Sequence, residues 1–130
     1  MRLVRSFYSD LWNRFDRSQV RRLLTDDVHF RGSLGQVAQG HEQFWQYVEF
    51  IRAAFPDFHN DVEDLVSEGE RAFARLLYSG THKGELFGVP ASNRRISYAG
   101  AALFRVRGDR ICSVWVLGDI HGLLGQLNAR

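Results

Sequence analysis

Pro56 divides the periodicity of this chain, and that division limits what it folds into. Before it, Phe44, Val48, Ile51 and Phe55 recur at helical spacing. The proline stops that helix at Phe55, because it disfavours helical dihedrals in the preceding residue and offers no backbone donor. Beyond it the pattern reads as strand: Phe58 to Val66, a Gly69 turn, Ala72 to Ser79, a long loop, Ile96 to Val106, an Arg107-Gly108-Asp109 turn, and Ile111 to Leu117. Helices first and hairpin-linked strands afterwards predict an α+β architecture with a strongly curved antiparallel sheet.

Upstream, Leu3, Val4, Phe7, Tyr8, Leu11, Trp12 and Phe15 form one apolar stripe and predict a long amphipathic first helix. Asp16-Arg17-Ser18-Gln19 has the form of a capping box, the Asp16 oxygen reaching the backbone of Gln19, with Val20, Leu23 and Leu24 on the buried side of a short second helix. Thr25-Asp26-Asp27 ends that helix, Val28-His29-Phe30 begins an extended stretch, and Gly32, Gly35 and Gly40 punctuate a loop. A short helix over Ile120 to Leu127 closes the chain. With no internal repeat or linker, residues 1–130 read as a single domain, large enough to bury about two thirds of its unfolded surface.

The net charge is +2, and the arginines that dominate the basic residues are scattered rather than gathered into a stripe with stacking aromatics, which excludes nucleic acid as the expected partner. Cys112, the one cysteine, has no internal disulfide partner and reads as a small buried apolar group among β-branched residues, as suits a reducing cytoplasm. The N-terminus lacks a signal-peptide run, and no segment approaches membrane-spanning length. A cytoplasmic protein with no membrane partner is expected.

Function is sought first at Asp119, the carboxylate that ends the run Val114-Trp115-Val116-Leu117-Gly118. Strand alternation puts Ile111, Ser113, Trp115, Leu117 and Asp119 on one face, so Trp115 and Asp119 are expected to look into one cavity. There Asp119 would carry a proton to and from a carbonyl compound, its pKa raised by burial. The competing reading is structural: Asp119 immediately precedes the last helix, and aspartate is a preferred N-cap. His82, at a strand end or on the following loop, is either an acid/base partner or a turn-stabilising residue. Arg75, mid-strand in Phe73-Ala74-Arg75-Leu76-Leu77, needs a partner: a substrate carboxylate, or an internal one such as Asp27 or Asp119. Most aromatics on the helical stripes belong to the core, but Tyr8, Trp12 and Trp45 carry polar tips suited to a ligand, and Asn13 lies at the edge of the same stripe. No zinc-site spacing, phosphate loop or Gly-x-Ser-x-Gly elbow is present, so no metal is expected.

Three local strings, Ala54-Phe55-Pro56-Asp57-Phe58, Gly80-Thr81-His82-Lys83-Gly84-Glu85-Leu86-Phe87-Gly88-Val89-Pro90 and Trp115-Val116-Leu117-Gly118-Asp119, resemble the SnoaL-like polyketide cyclases of the nuclear-transport-factor-2-like superfamily, over about residues 5 to 127. The resemblance implies a cone-shaped, cystatin-like α+β barrel, its curved sheet wrapped around the N-terminal helices over a deep apolar cavity, and a homodimer packed through the sheet. It also implies cofactor-independent aldol ring closure, with the acid/base aspartate at Asp119. The sequence departs from the family at Ala91-Ser92-Asn93-Arg94, where Pro-Thr-Gly-Arg is common; Asn93 tolerates the left-handed backbone a glycine would adopt there. The expected function is acid/base chemistry, aldol cyclisation or isomerisation, on a small apolar or aromatic carbonyl ligand, with His82 or a tyrosine polarising the oxygen. Its rivals are a non-catalytic metabolite-binding protein, a dimeric interaction module and an epoxide hydrolase.

Overall fold

The computed structural model describes residues 1–129. Its elements are α1 (Arg2–Ser6), a π-helical turn (Phe7–Trp12), α2 (Ser18–Leu23), β1 (Leu24–Arg31), β2 (Val37–Gln39), α3 (Gly40–Ala54), β3 (His59–Glu68), β4 (Arg71–Thr81), β5 (Arg95–Arg107), β6 (Arg110–Gly118) and α4 (Ile120–Leu127). The strands form one six-stranded sheet in the order β2-β1-β6-β5-β4-β3. This is the expected α+β architecture, with one exception to its antiparallel pairing: β1 and β6 run parallel. Three successive reversals, β3 to β6, bring the last strand back alongside β1 in the same direction.

The long first helix is also corrected. It loosens at Phe7, where hydrogen bonds reach five residues back: Asn13 N–H to the Tyr8 carbonyl at 2.8 Å and Asp16 N–H to that of Leu11 at 3.1 Å. Such π-turns gather at functional sites; here the turn keeps Phe7, Tyr8, Leu11 and Trp12 buried. Phe15 then takes a left-handed φ of 53°, costly for a bulky side chain, and ends the run. The Asp16 carboxylate accepts from Ser18 N–H at 3.0 Å, one residue short of the Gln19 backbone. Leu24 is already extended, so β1 begins where the second helix was expected to continue.

Along β4 and β5 burial alternates strictly, and the inward residues pack beneath Phe44, Tyr47, Val48 and Ile51 of α3. Strand β6 breaks the alternation. Arg105 pairs with Ser113 and Val106 with Ile111, leaving Cys112 as an extra residue in a bulge. Side chains beyond the bulge therefore change face: Ile111 points inward, and so do Val114 and Val116. Cys112 is half-buried rather than apolar core, its Sγ 3.5 Å from the Arg105 carbonyl. No helix among the described residues is long and apolar enough to cross a membrane.

Candidate functional site

The concave face of the sheet, the π-turn and α3 enclose a cavity of about 20 Å3, lined by Phe7, Tyr8, Trp12, Phe30, Ser33, Tyr47, Ile51, Phe58, Asn60, Tyr78 and Val116. Three of the four tyrosines of the chain line it, and the fourth, Tyr98, is tied to it through Ser33, whose hydroxyl lies 2.9 Å from the Tyr98 hydroxyl. Tyr78 and Tyr98 pack at a centroid distance of 4.9 Å. Two glycines make the convergence possible. A Cβ on Gly32 would stand 2.2 Å from Tyr47 Cζ, and one on Gly100 2.3 Å from Tyr78 Cε2, so each ring rests on backbone that has no side chain.

The hydroxyls of Tyr8 and Tyr47 are buried without a hydrogen-bond partner. An orphaned buried hydroxyl costs about 1–3 kcal/mol, and packed cores rarely keep one, let alone two against the same hollow. Burial pushes the Tyr8 phenol far above its ordinary value, and the nearby Tyr78 hydroxyl offsets only part of the rise. Burial likewise raises Tyr47, against the Ser33 hydroxyl, the Leu34 and Ser33 main chain and the Arg31 charge. Tyr78 and Tyr98 are raised by burial too. All four are neutral donors at physiological pH, suited to an oxygen acceptor. A void of this size holds about one water, so a larger guest requires the wall to move.

The sequence profile of the SnoaL-like polyketide cyclases matches residues 2–127. The chain belongs to this family. Its fold is that of the nuclear-transport-factor-2-like superfamily, shared with many solved structures. A candidate SnoaL-like polyketide cyclase from Jannaschia sp. CCS1 is 20% identical, with a TM-score of 0.89 over 99% of this chain and 91% of its own. TsrD from Streptomyces laurentii is 27% identical, with a TM-score of 0.86 over 99% and 94%. IdmH, a candidate polyketide cyclase from Streptomyces antibioticus, is 26% identical, with a TM-score of 0.86 over 98% and 97%. No functionally curated protein matches.

Of the residues singled out in this SnoaL-like sequence, Tyr8 and Trp12 line the cavity. Asn13 lies behind the wall: its Oδ1 accepts from Asn60 N–H at 2.8 Å and from Asn60 Nδ2 at 3.0 Å, and its Nδ2 donates to the Asn60 carbonyl at 3.0 Å, fastening the π-turn to β3. Trp45 is buried on the other side of α3, stacked on Phe15 at 4.9 Å with the Arg17 guanidinium 5.8 Å from its ring.

The expected common inward face for Trp115 and Asp119 is corrected. The Cys112 bulge turns Trp115 to the convex face, 47% exposed, with Arg31 5.3 Å from its ring. Asp119 is exposed and caps α4, its Oδ1 accepting from Gly122 N–H at 2.9 Å. Arg75 is not a buried guanidinium: the register of β4 places it outward, 3.3 Å from Asp64 and 4.0 Å from Glu63, while Asp27 pairs with Arg107. His82 is fully buried, its Nδ1 3.0 Å from Ser92 Oγ and its ring 6.0 Å from Phe55, in a layer behind the cavity wall.

The residues that the sequence reading passed over are Tyr47, Tyr78, Tyr98, Ser33 and Asn60. A signal for two of them was available. Gly100 interrupts a strand otherwise able to carry side chains, a mark of close approach by another group, and Tyr78 and Tyr98 fall on the inward parity of their strands.

Proposed function

We propose that this SnoaL-like protein takes a small apolar or aromatic carbonyl compound into the tyrosine-lined cavity, where Tyr8 and Tyr47 donate hydrogen bonds to its oxygen. The pair of orphaned hydroxyls facing one hollow carries this reading. Two neutral donors on a carbonyl oxygen draw electron density from the adjacent carbon and acidify its C–H, the electrophilic half of an aldol closure or isomerisation. The lining residues include no carboxylate or imidazole, so ligand binding with carbonyl polarisation is favoured over a complete acid/base cycle within the cavity. Asp119, outside on the α4 cap, is the carboxylate whose part in proton transfer is to be tested. Titration with acetophenone, followed by tryptophan fluorescence, should show saturable binding that weakens about tenfold in Tyr8→Phe, one charge-free hydrogen bond being worth about 1 kcal/mol or slightly more. Exchange of the acetophenone methyl protons in D2O, compared between wild type and Asp119→Asn, tests catalysis. Absence of binding would refute the carbonyl-pocket reading.

A second reading concerns assembly. Val66 pairs with Phe73, Phe73 with Leu103, and Leu103 with Trp115, so four exposed apolar side chains form one row across β3, β4, β5 and β6, with Leu117 beside it. This row favours a homodimer packed through the convex face, because so continuous an apolar surface is uncommon on a monomer. Trp115→Glu should yield a monomer in sedimentation if that packing holds.

A further inference from the structure

We propose that the surface groove between α3 and the β2 edge is an outer subsite of the carbonyl pocket, taking the uncharged polar tail of an elongated ligand whose carbonyl head lies inside. The inference rests on the carbonyl-binding reading above. Tyr47 carries it, because this one side chain lines both hollows: the inner cavity of about 20 Å3 and an outer groove of about 270 Å3 that it shares with Gln36, Val37, Gln43, Gln46 and Phe50. Its ring is the partition between them. On the inner side it packs against Phe30 at 5.2 Å and Trp12 at 6.2 Å; on the outer side it stacks with Phe50 at 6.3 Å and 29°.

The partition is poised to move. In the free protein the Tyr47 hydroxyl is buried without a partner; a tilt of the ring toward Phe50 opens a passage along its edge and leaves that hydroxyl directed at the inner hollow, where the guest's carbonyl oxygen satisfies it. Its tip rests on the bare backbone of Gly32, so no side chain beneath it interlocks with the ring. The inner void admits little more than a water while the ring is in place, and opening it merges both hollows into one site.

The chemistry of the outer wall names the tail. Its polar groups are the amides of Gln36, Gln43 and Gln46, of which Gln43 Oε1 is already taken by Gln39 N–H at 2.9 Å. Its apolar groups are unusually open, with Val37 75% and Phe50 40% exposed. No charged residue lines it. Amide donors beside exposed apolar carbon fit a neutral hydroxyl- or amide-bearing chain and give no pairing to a carboxylate or phosphate.

The test compares three probes by tryptophan fluorescence: acetophenone, its neutral extension N-(2-hydroxyethyl)-4-acetylbenzamide, and anionic 4-acetylbenzoate. The neutral extension should bind about tenfold tighter than acetophenone, the gain expected from covering a small apolar area of Phe50 and Val37, and the anion should gain nothing. In Gln46→Ala the gain should shrink while acetophenone binding stays unchanged; Val37→Ser, at a more exposed position, should reduce it separately. Equal affinity of acetophenone and its neutral extension for the wild type overturns the outer subsite and leaves the inner pocket standing, as does an equal loss for both probes in the variants. If none of the three binds, the carbonyl-binding reading falls and the subsite with it.

Discussion

Replacing Tyr8 with phenylalanine should make the protein more stable and less able to hold its ligand. The side chain is 3% exposed, its hydroxyl has no hydrogen-bond partner, and its ring packs edge-on against Phe7 at 5.1 Å and Phe104 at 5.9 Å. Phenylalanine keeps those ring contacts and removes a group whose desolvation is uncompensated. An unsatisfied buried hydroxyl costs about 1–3 kcal/mol; taking the lower end, because Tyr78 lies nearby and one water fits the void, the gain is about 1 kcal/mol. For a chain of this length the entropy of unfolding converts that into a rise in Tm of about 4 °C. Calorimetric melting of wild type and Tyr8→Phe without ligand measures it, and the same melts with saturating acetophenone should show a smaller ligand-induced shift in the variant. Opposite signs for stability and binding identify a group kept at the expense of the fold. A Tm lowered by a comparable amount would mean that the hydroxyl is satisfied in the free protein, and the case for a donor awaiting an acceptor would be lost.

Gly100→Ala should destabilise by about 1–3 kcal/mol in denaturant titration, because the added methyl meets the Tyr78 ring at 2.3 Å and forces it from its seat. Asp119→Ala should cost about 1 kcal/mol in the same assay through loss of the α4 cap, and Asp119→Asn should restore most of it, since asparagine caps equally well. Asp57 gives a pH dependence. Burial opposes its ionisation, but the N–H and hydroxyl of Thr81, at 2.6 and 2.7 Å, and the Arg95 charge outweigh that and hold the carboxyl below its ordinary value. A lowered folded-state value means that this stabilisation is present above the ordinary aspartate range and lost as pH falls through the folded value; acid melts of Asp57→Asn should show that dependence reduced.

Elements with strong local signals were legible in the sequence. The stop at Pro56 and the closing helix over Ile120–Leu127 follow from backbone chemistry and apolar spacing, and the four long strands differ from their expected bounds only at the ends. Local pattern misled where register decided the outcome. Alternation along β6 is sound on each side of Cys112, but the bulge there depends on pairing with β5, and it turns Trp115 away from the interior. Short β2 escaped notice because three residues carry too little periodicity. The tyrosine cluster was legible only in part: Tyr8 stood on a helical stripe, and Gly100 with strand parity marks Tyr78 and Tyr98, but the four tyrosines come from four elements and only the folded sheet gathers them. Asn93, by contrast, takes the left-handed φ of 59° anticipated from its side chain.

The parallel pairing of β1 with β6 ties together two segments that lie far apart along the chain. His29 aligns with Ser113 and Phe30 with Val114, so closing that ladder encloses a loop of about 80 residues, at an entropic cost of about 4 kcal/mol. Phe30 and Val116 both face the hollow, and this closure brings the two walls that carry them together. The hairpins of β3 to β5 and of β1 with β2 are local and can zip first, whereas the inner edge of β1 waits with unpaired main chain for β6. A chain truncated before residue 111 is therefore expected to carry a formed half-sheet and no pocket.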